Sequence, residues 1–280
     1  METKLPLPFL PSVDLGREPL STDGLTGNQL SYLGCVYLAA NNSSVDKLLQ
    51  FLQSDVSIEA YVDVRSIDSI DDVVSILDSG ARKVFVNAPQ LKALKSYGER
   101  VLPALSALGG NPSDPDYKEG LLFSPENFSA VKPALENLTA SKVSPIFLLA
   151  SEIGDFQASV EIAKEFSAIA IIPATQLSVD NSRKELISVP AIIGSSWISD
   201  RNDKLIPTVV TDERGIALGL VYSSQESLAE SLKTGTGTGD CQMMLSFADI
   251  SPQGSTKVGN GACGTKVQHP VIRKNLLEYP

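Results

Sequence analysis

The sequence predicts an α/β protein in two parts. The first is a parallel-sheet domain in the form of a partial or degenerate (β/α) barrel; the second is an incomplete β-hairpin plus helix. Two observations carry this expectation. Short apolar runs of the buried-strand kind alternate with amphipathic runs between residues 35 and 173, the layout of βαβ units. Near residue 204 the pattern changes to two β-rich runs flanking Asp212-Glu213-Arg214-Gly215, which is a hairpin signal.

In chain order, CVYLAA at 35–40 reads as a strand, and Ser43 and Ser44 occupy the N-cap place before VDKLLQFLQ, where a hydroxyl can accept from a free helical N–H. IEAYVDV at 58–64 is the next strand and DSIDDVVSILD at 68–78 the next helix, with Gly80 placed as its C-cap. KVFV at 83–86 is followed by a helix over 89–97. Beyond the Gly/Pro/Asp-rich loop at 109–119 come a strand at 121–123 and a helix starting near Ser124-Pro125. PIFLL at 145–149, a helix over 155–166 and AIAIIP at 168–173 complete the alternation. Six strands are fewer than a full eight-fold barrel needs, hence the expectation of a partial one. After the polar stretch SDRNDK at 199–204 comes the hairpin. Ser224 then caps a helix whose Leu228 and Leu232 are spaced i, i+4.

The chain has 280 residues, is 42% hydrophobic and 20% charged, and carries a formal net charge of −10. Such a composition is that of a globular protein. The acidic balance, with no Lys/Arg cluster, argues against a nucleic-acid partner, whose affinity rests on neutralised phosphates. No apolar run approaches the roughly 18 residues of a membrane span, and METKLPLPFLP resembles neither a secretory signal nor a transit peptide. Cys35, Cys241 and Cys263 form an odd, sparse set, expected as reduced thiols in a cytoplasmic protein.

The stretch LIPTVVTDERGIALGLVYSSQESLAESLKTGTG at 205–237 resembles the opening of phosphoribosyl-AMP cyclohydrolase, in which a hairpin leads to a helix and a "TG" turn. Its form is most similar to that in the fungal trifunctional histidine-biosynthesis family, where this enzyme is fused to phosphoribosyl-ATP pyrophosphohydrolase and histidinol dehydrogenase behind an α/β region. Asp78-Ser79-Gly80-Ala81 before KVFV also resembles the helix-to-strand joint of phosphate-binding (β/α)8 barrels, although a glycine cap alone accounts for it. The resemblance implies three regions: a barrel-like domain at 1–203, a truncated start of the cyclohydrolase domain at 204–239, and an off-family tail at 240–280, expected to be disordered. For the full-length family it implies zinc and magnesium as cofactors and a phosphoribosyl nucleotide as substrate.

The family continues with a run like YQSRKRGLWYKGATSGDTQEL and then with clustered metal-binding Asp and Cys. This sequence instead reads DCQMMLSFADISPQGSTKVGNGACGTKVQHPVIRKNLLEYP after Gly239. The codons allowed for residues 254–280, read one nucleotide back, are compatible with the family run. The expectation is therefore a retained intron or misplaced splice junction near residue 240, followed by family sequence out of frame.

Gly259-Asn260-Gly261-Ala262-Cys263-Gly264 spells G-x-G-x-x-G without the strand before and helix after that a dinucleotide site needs. The glycines at 235–239 lack the Lys and Ser/Thr of a P-loop. Cys241, Cys263 and His269 lack the paired spacing of zinc ligands. Asp63 could face the mouth of the sheet with Arg65 and Lys83 meeting a phosphate, but the favoured reading is an ordinary Asp that helps the chain leave the strand before a helix start at Ser66/Asp68. The sequons at Asn42, Asn127 and Asn137 need a secretory route that nothing in the sequence provides. Catalytic and metal residues are thus expected to be none, and the substrate-binding residues are not identified. The functional expectations are a front part of a multifunctional enzyme that is itself inactive, a scaffolding or homodimerising module, or a sugar-phosphate-binding half-barrel. The 204–234 segment, with Leu218, Leu220 and Leu228, is expected to be poorly anchored, to aggregate, or to pack against the first domain.

Overall fold

The computed structural model describes residues 7–15, 25–54, 58–106, 115–125, 128–149, 156–195, 197–211 and 216–235. Eight strands run parallel in sequence order: β1 (Phe9–Asp14), β2 (Cys35–Asn41), β3 (Glu59–Ser66), β4 (Lys83–Val86), β5 (Val101–Leu105), β6 (Leu121–Phe123), β7 (Ile146–Leu149) and β8 (Ile169–Pro173). They close into a barrel, with β1 pairing β8 from Phe9↔Ala170 to Ser12↔Pro173. The barrel-like parallel sheet expected from the sequence is therefore present, and it is complete. The two additional strands are β1 and β5, and each contains a proline, Pro11 and Pro103. Proline removes a ladder N–H, so the sequence signal of a central strand is weakest there.

The crossovers carry α1 (Gly27–Leu33), α2 (Val45–Gln53), α3 (Ile70–Asp78), α4 (Ala88–Ala93), α5 (Val131–Ala140) and α6 (Phe156–Glu165). Ser69 caps α3 by accepting from the Asp72 N–H at 3.2 Å. Ser44 stands at the N-cap position of α2 but makes no cap bond. Its hydroxyl instead accepts from the Asn41 N–H at 2.9 Å and donates to the Asn41 carbonyl at 3.0 Å, closing the turn after β2. Gly80, one residue past the Ser79 cap, has φ +106°, a conformation that favours glycine. The helix expected near Ser124 begins later, at Val131, because the Ser124 N–H still bonds the Leu105 carbonyl of the sheet at 2.7 Å.

Alternate residues along the strands divide the core. Val36, Leu38, Val62, Val64, Val84 and Val86 pack outward against Val45, Leu48, Val73, Ile76 and Leu77 of α2 and α3. The other faces fill the barrel with rings. Tyr61 on β3 lies 5.6 Å from Phe147 on β7, and Phe85 on β4 meets Phe147 edge-on at 5.0 Å. Those strands are not neighbours, so these contacts cross the interior. The barrel is packed through, as (β/α)8 interiors are.

After β8 come two short strands, β9 (Leu177–Ser178) and β10 (Ile187–Ser188), then α7 (Val189–Ser195). The hairpin follows as β11 (Ile206–Thr211) and β12 (Ala217–Ser223), antiparallel, and leads into α8 (Gln225–Thr234). Ser224 caps α8 by accepting from the Ser227 N–H at 3.2 Å, and Gly235 ends it with φ +67°. The expectation for this segment divides. The helix packs against α1 and α7 of the barrel, with Leu228 and Leu232 buried. In the hairpin Val209, Ile216, Leu218 and Leu220 are exposed.

Candidate functional site

The mouth of the barrel lies at the carboxyl ends of its strands, where ligands bind in this architecture. There Asp63 is buried and takes a full set of donors. The Tyr37 hydroxyl donates to Oδ2 at 2.7 Å. Arg65 donates its backbone N–H to Oδ1 at 3.1 Å, its Nε to both oxygens at 3.0 and 3.1 Å, and a terminal N–H to Oδ2 at 2.7 Å. Burial, then the charge of Asp63 and the hydrogen bond to it, push the Tyr37 hydroxyl well above the usual tyrosine range. Tyr37 therefore stays a donor. The hydrogen bond to Asp63 is the largest influence on Arg65 and raises its already high pKa.

Amide side chains knit the neighbouring loops. Asn42 donates its Nδ2–H to Asp68 at 2.7 Å and accepts from the Asp68 N–H at 3.0 Å, tying the loop after β2 to that after β3. Gln90 is buried and donates to the carbonyls of Val64 and Ile67 at 2.9 and 2.7 Å, while Asn87 donates to the Arg65 carbonyl at 3.3 Å. The arrangement is a latch. An Asp already accepting from Tyr37 and a forked Arg has to break an ion pair before it can take a substrate proton.

Of the three residues weighed as a possible group at the mouth, Asp63 and Arg65 come together, and Lys83 does not join them. It opens β4 beside Tyr61, toward the other end of the barrel, and its Nζ donates to the Glu99 carbonyl at 2.7 Å. Burial lowers its pKa. Tyr37 was not legible as a member of the group, since its phenol reaches Asp63 only through the β2–β3 register that pairs Ala39 with Asp63. Among the described residues no buried side-chain nitrogen or oxygen lacks a partner, and no three His, Cys, Asp or Glu cluster as metal ligands. Cys241, Cys263, His269 and both glycine-rich patterns from residue 236 onward lie outside the described residues. Cys35 is buried in the barrel, and burial, aided by Glu59, pushes its thiol up to about 12.

A second concave region lies where the hairpin leaves the barrel. A cleft of about 550 Å³ is lined by Gly194, Trp197, Leu205, Ile206, Ser224 and Gln225, among others. Beside it, Arg201 pairs with Asp203 and stacks over the Tyr222 ring at 4.3 Å.

Fold and site together define a closed, eight-stranded parallel α/β barrel with a latched mouth and a docked hairpin–helix extension. No family model matches the chain. It is 40% identical over 242 residues to the histidine biosynthesis trifunctional protein of Neurospora crassa, a match covering 85% of this chain and 28% of that protein. The trifunctional protein of Candida albicans is 26% identical over 237 residues, covering 82% of this chain and 26% of its own length. The histidine biosynthesis bifunctional protein his7 of Schizosaccharomyces pombe is 47% identical over 85 residues, covering 29% and 20%. Over most of its length, then, the chain is related to the fungal histidine biosynthesis trifunctional proteins, and it spans 28% of the length of the Neurospora relative. Among the described residues no helix is long and apolar enough to cross a membrane.

Proposed function

We propose that this chain is the front part of a histidine-biosynthesis multifunctional enzyme, a barrel leading into the first hairpin and helix of a phosphoribosyl-AMP cyclohydrolase. The 40% identity over 85% of the chain, against 28% of the relative's length, carries this reading. The hairpin and capped helix at 206–234 support it, since they follow the order that the resemblance implies. The reaction would open the adenine ring of a phosphoribosyl nucleotide with a metal-activated hydroxide, because a bound metal brings the pKa of water near neutral. In this reading the metal ligands and substrate-binding run belong to polypeptide that the present sequence does not match. The chain alone is then inactive and acts in the cytoplasm as a non-catalytic mounting for enzyme domains. The satisfied latch of Tyr37, Asp63 and Arg65 favours that mounting role over a sugar-phosphate site at the mouth.

Incubating purified chain with phosphoribosyl-AMP, alongside metal analysis, tests the proposal. No hydrolysis and no stoichiometric zinc are expected. Turnover above a buffer control, or one zinc per chain, overturns it. Calorimetry with phosphoribosylated intermediates separates the mounting role from sugar-phosphate binding, since a mounting gives no specific heat.

A further inference from the structure

We propose that the cleft where the hairpin leaves the barrel binds a free α-amino acid with a ring side chain. This goes beyond the cyclohydrolase reading and does not rest on it. The cleft's volume of about 550 Å³ falls within the roughly 300–1,000 Å³ of small-molecule sites. Trp197, Ile198, Leu205 and Ile206 supply its apolar lining. Trp197 is half-buried, packed against the barrel core while it also lines the cleft, and Ile198 is 95% exposed. An indole beside so open an aliphatic side chain is a surface that a flat apolar group would cover.

The polar side chains decide what that group is attached to. Some are spent on the cleft's own walls. The Ser199 hydroxyl donates to the Leu205 carbonyl at 2.7 Å and accepts from the Arg201 N–H at 3.2 Å. Asp203 pairs with Arg201 and accepts from the Leu205 N–H at 3.1 Å, and Ser224 caps α8. Three others line the cleft, Lys204, Gln225 and Glu226, and among the described residues none of their side chains makes a hydrogen bond or ion pair. The hairpin register, Ile206↔Ser223, sets Lys204 and the first turn of α8 on opposite sides of one opening. A Cβ on Gly194 would stand 2.4 Å from Cγ of Gln225, so glycine there leaves the room in which the Gln225 side chain lies along the wall. One uncommitted cation, one uncommitted carboxylate and an amide that can both donate and accept thus surround an apolar lining. A zwitterion matches all of it: its carboxylate meets Lys204, its ammonium meets Glu226, and its ring lies against Trp197. A nucleoside monophosphate carries only negative charge and offers Glu226 no cation.

Equilibrium dialysis of the full chain against labelled L-phenylalanine and L-histidine tests the assignment without turnover, so its outcome is separate from that of the cyclohydrolase reading. Saturable binding of at least one of them is expected, with a Kd below about 5 mM, as suits an open site. Trp197 is the chain's only tryptophan, so a fluorescence change with the same midpoint reports from the cleft itself. Lys204→Met and Glu226→Gln should each weaken binding by at least ~5-fold. Lys132→Met, which removes a lysine of α5 paired with Glu165, should leave it within ~2-fold. N-acetyl-L-phenylalanine has no ammonium group; it should bind at least ~5-fold more weakly than L-phenylalanine and lose nothing further in Glu226→Gln. No saturable binding of either amino acid up to ~20 mM overturns the assignment. So does an affinity that neither cleft variant changes, or one that Lys132→Met lowers equally. Tighter binding of adenosine monophosphate than of both amino acids overturns it in favour of a nucleotide site.

Discussion

Among the described residues every barrel strand has two neighbours, β1 lying between β2 and β8, whereas each hairpin strand has one. Closure leaves the eight barrel strands without a free edge, so they can be almost wholly apolar: Leu122, Phe147, Leu148 and Ile171 are all fully buried. The hairpin has two edges and manages them locally. Pro207 removes an N–H from β11, and the register skips Leu218 on β12, between the Val210↔Gly219 and Thr211↔Ala217 pairs. Proline and a bulge are both devices that blunt an open edge. The same kind of residue therefore does opposite work in the two regions. Leucine and valine hold the barrel together by burial, while in the hairpin Leu220 and Val209 pair across the strands with one side open to water.

The largest expected effect lies at the centre of the barrel. Phe147→Ala removes the ring that meets both Tyr61 and Phe85 and should cost about 3–5 kcal/mol in chemical denaturation. A loss below about 1 kcal/mol would show that the interior is not packed as described. At the mouth, Asp63→Ala strips the partner from Arg65 and Tyr37. Because the Arg65 side chain is 30% exposed and can rehydrate, the expected loss is about 2 kcal/mol rather than the larger figure for a sealed pair. Asp63→Asn should recover part of that loss by still accepting from Tyr37.

Alkaline pH should loosen the barrel through Cys35. Its thiol is raised from 9.0 to about 12 in the fold, so above pH 9 the unfolded chain loses the proton first. The stability this group protects is whole below pH 9 and falls by about 1.4 kcal/mol per pH unit until its folded pKa is passed. Tyr37 and Tyr61, both raised chiefly by burial, act in the same direction. Denaturation between pH 8 and 11 should show a shallower decline for Cys35→Ala than for the unaltered chain. Equal slopes would remove Cys35 from the account. The smallest effect belongs to the hairpin, where Leu220→Lys should change stability by no more than about 0.5 kcal/mol, since the side chain is already half in water. A loss of 2 kcal/mol would mean that this face is covered in solution.

Six of the eight barrel strands were legible because an apolar run with branched residues, bounded by turn residues, has few other uses. The two missed strands, FLPSVD and VLPAL, each contain a proline. Local reasoning demotes such runs, and only neighbours on both sides restore them. The capped helix after Ser224 was legible from the cap and the i, i+4 leucines, both local features. Its docking was not legible, since α1, α7 and α8 meet from distant parts of the chain. At the mouth, Asp63 and Arg65 could be named because they are two residues apart on one strand. Tyr37 could not, for its distance from Asp63 depends on how two strands align.

The sequence by itself determined the class of fold, the order of six of the eight barrel strands and the place where the pattern changes, because strand and helix periodicities are properties of short stretches. It also carried the likeness to the fungal histidine-biosynthesis proteins, in the hairpin and helix around LGLVYSS. Tertiary structure alone decided that the sheet closes, that Asp63 is held by Tyr37 and Arg65, and that α8 is seated while the hairpin face stays open. Each of those outcomes depends on surfaces brought together from distant parts of the chain, and burial, close approach and ion pairing arise only when both surfaces are present.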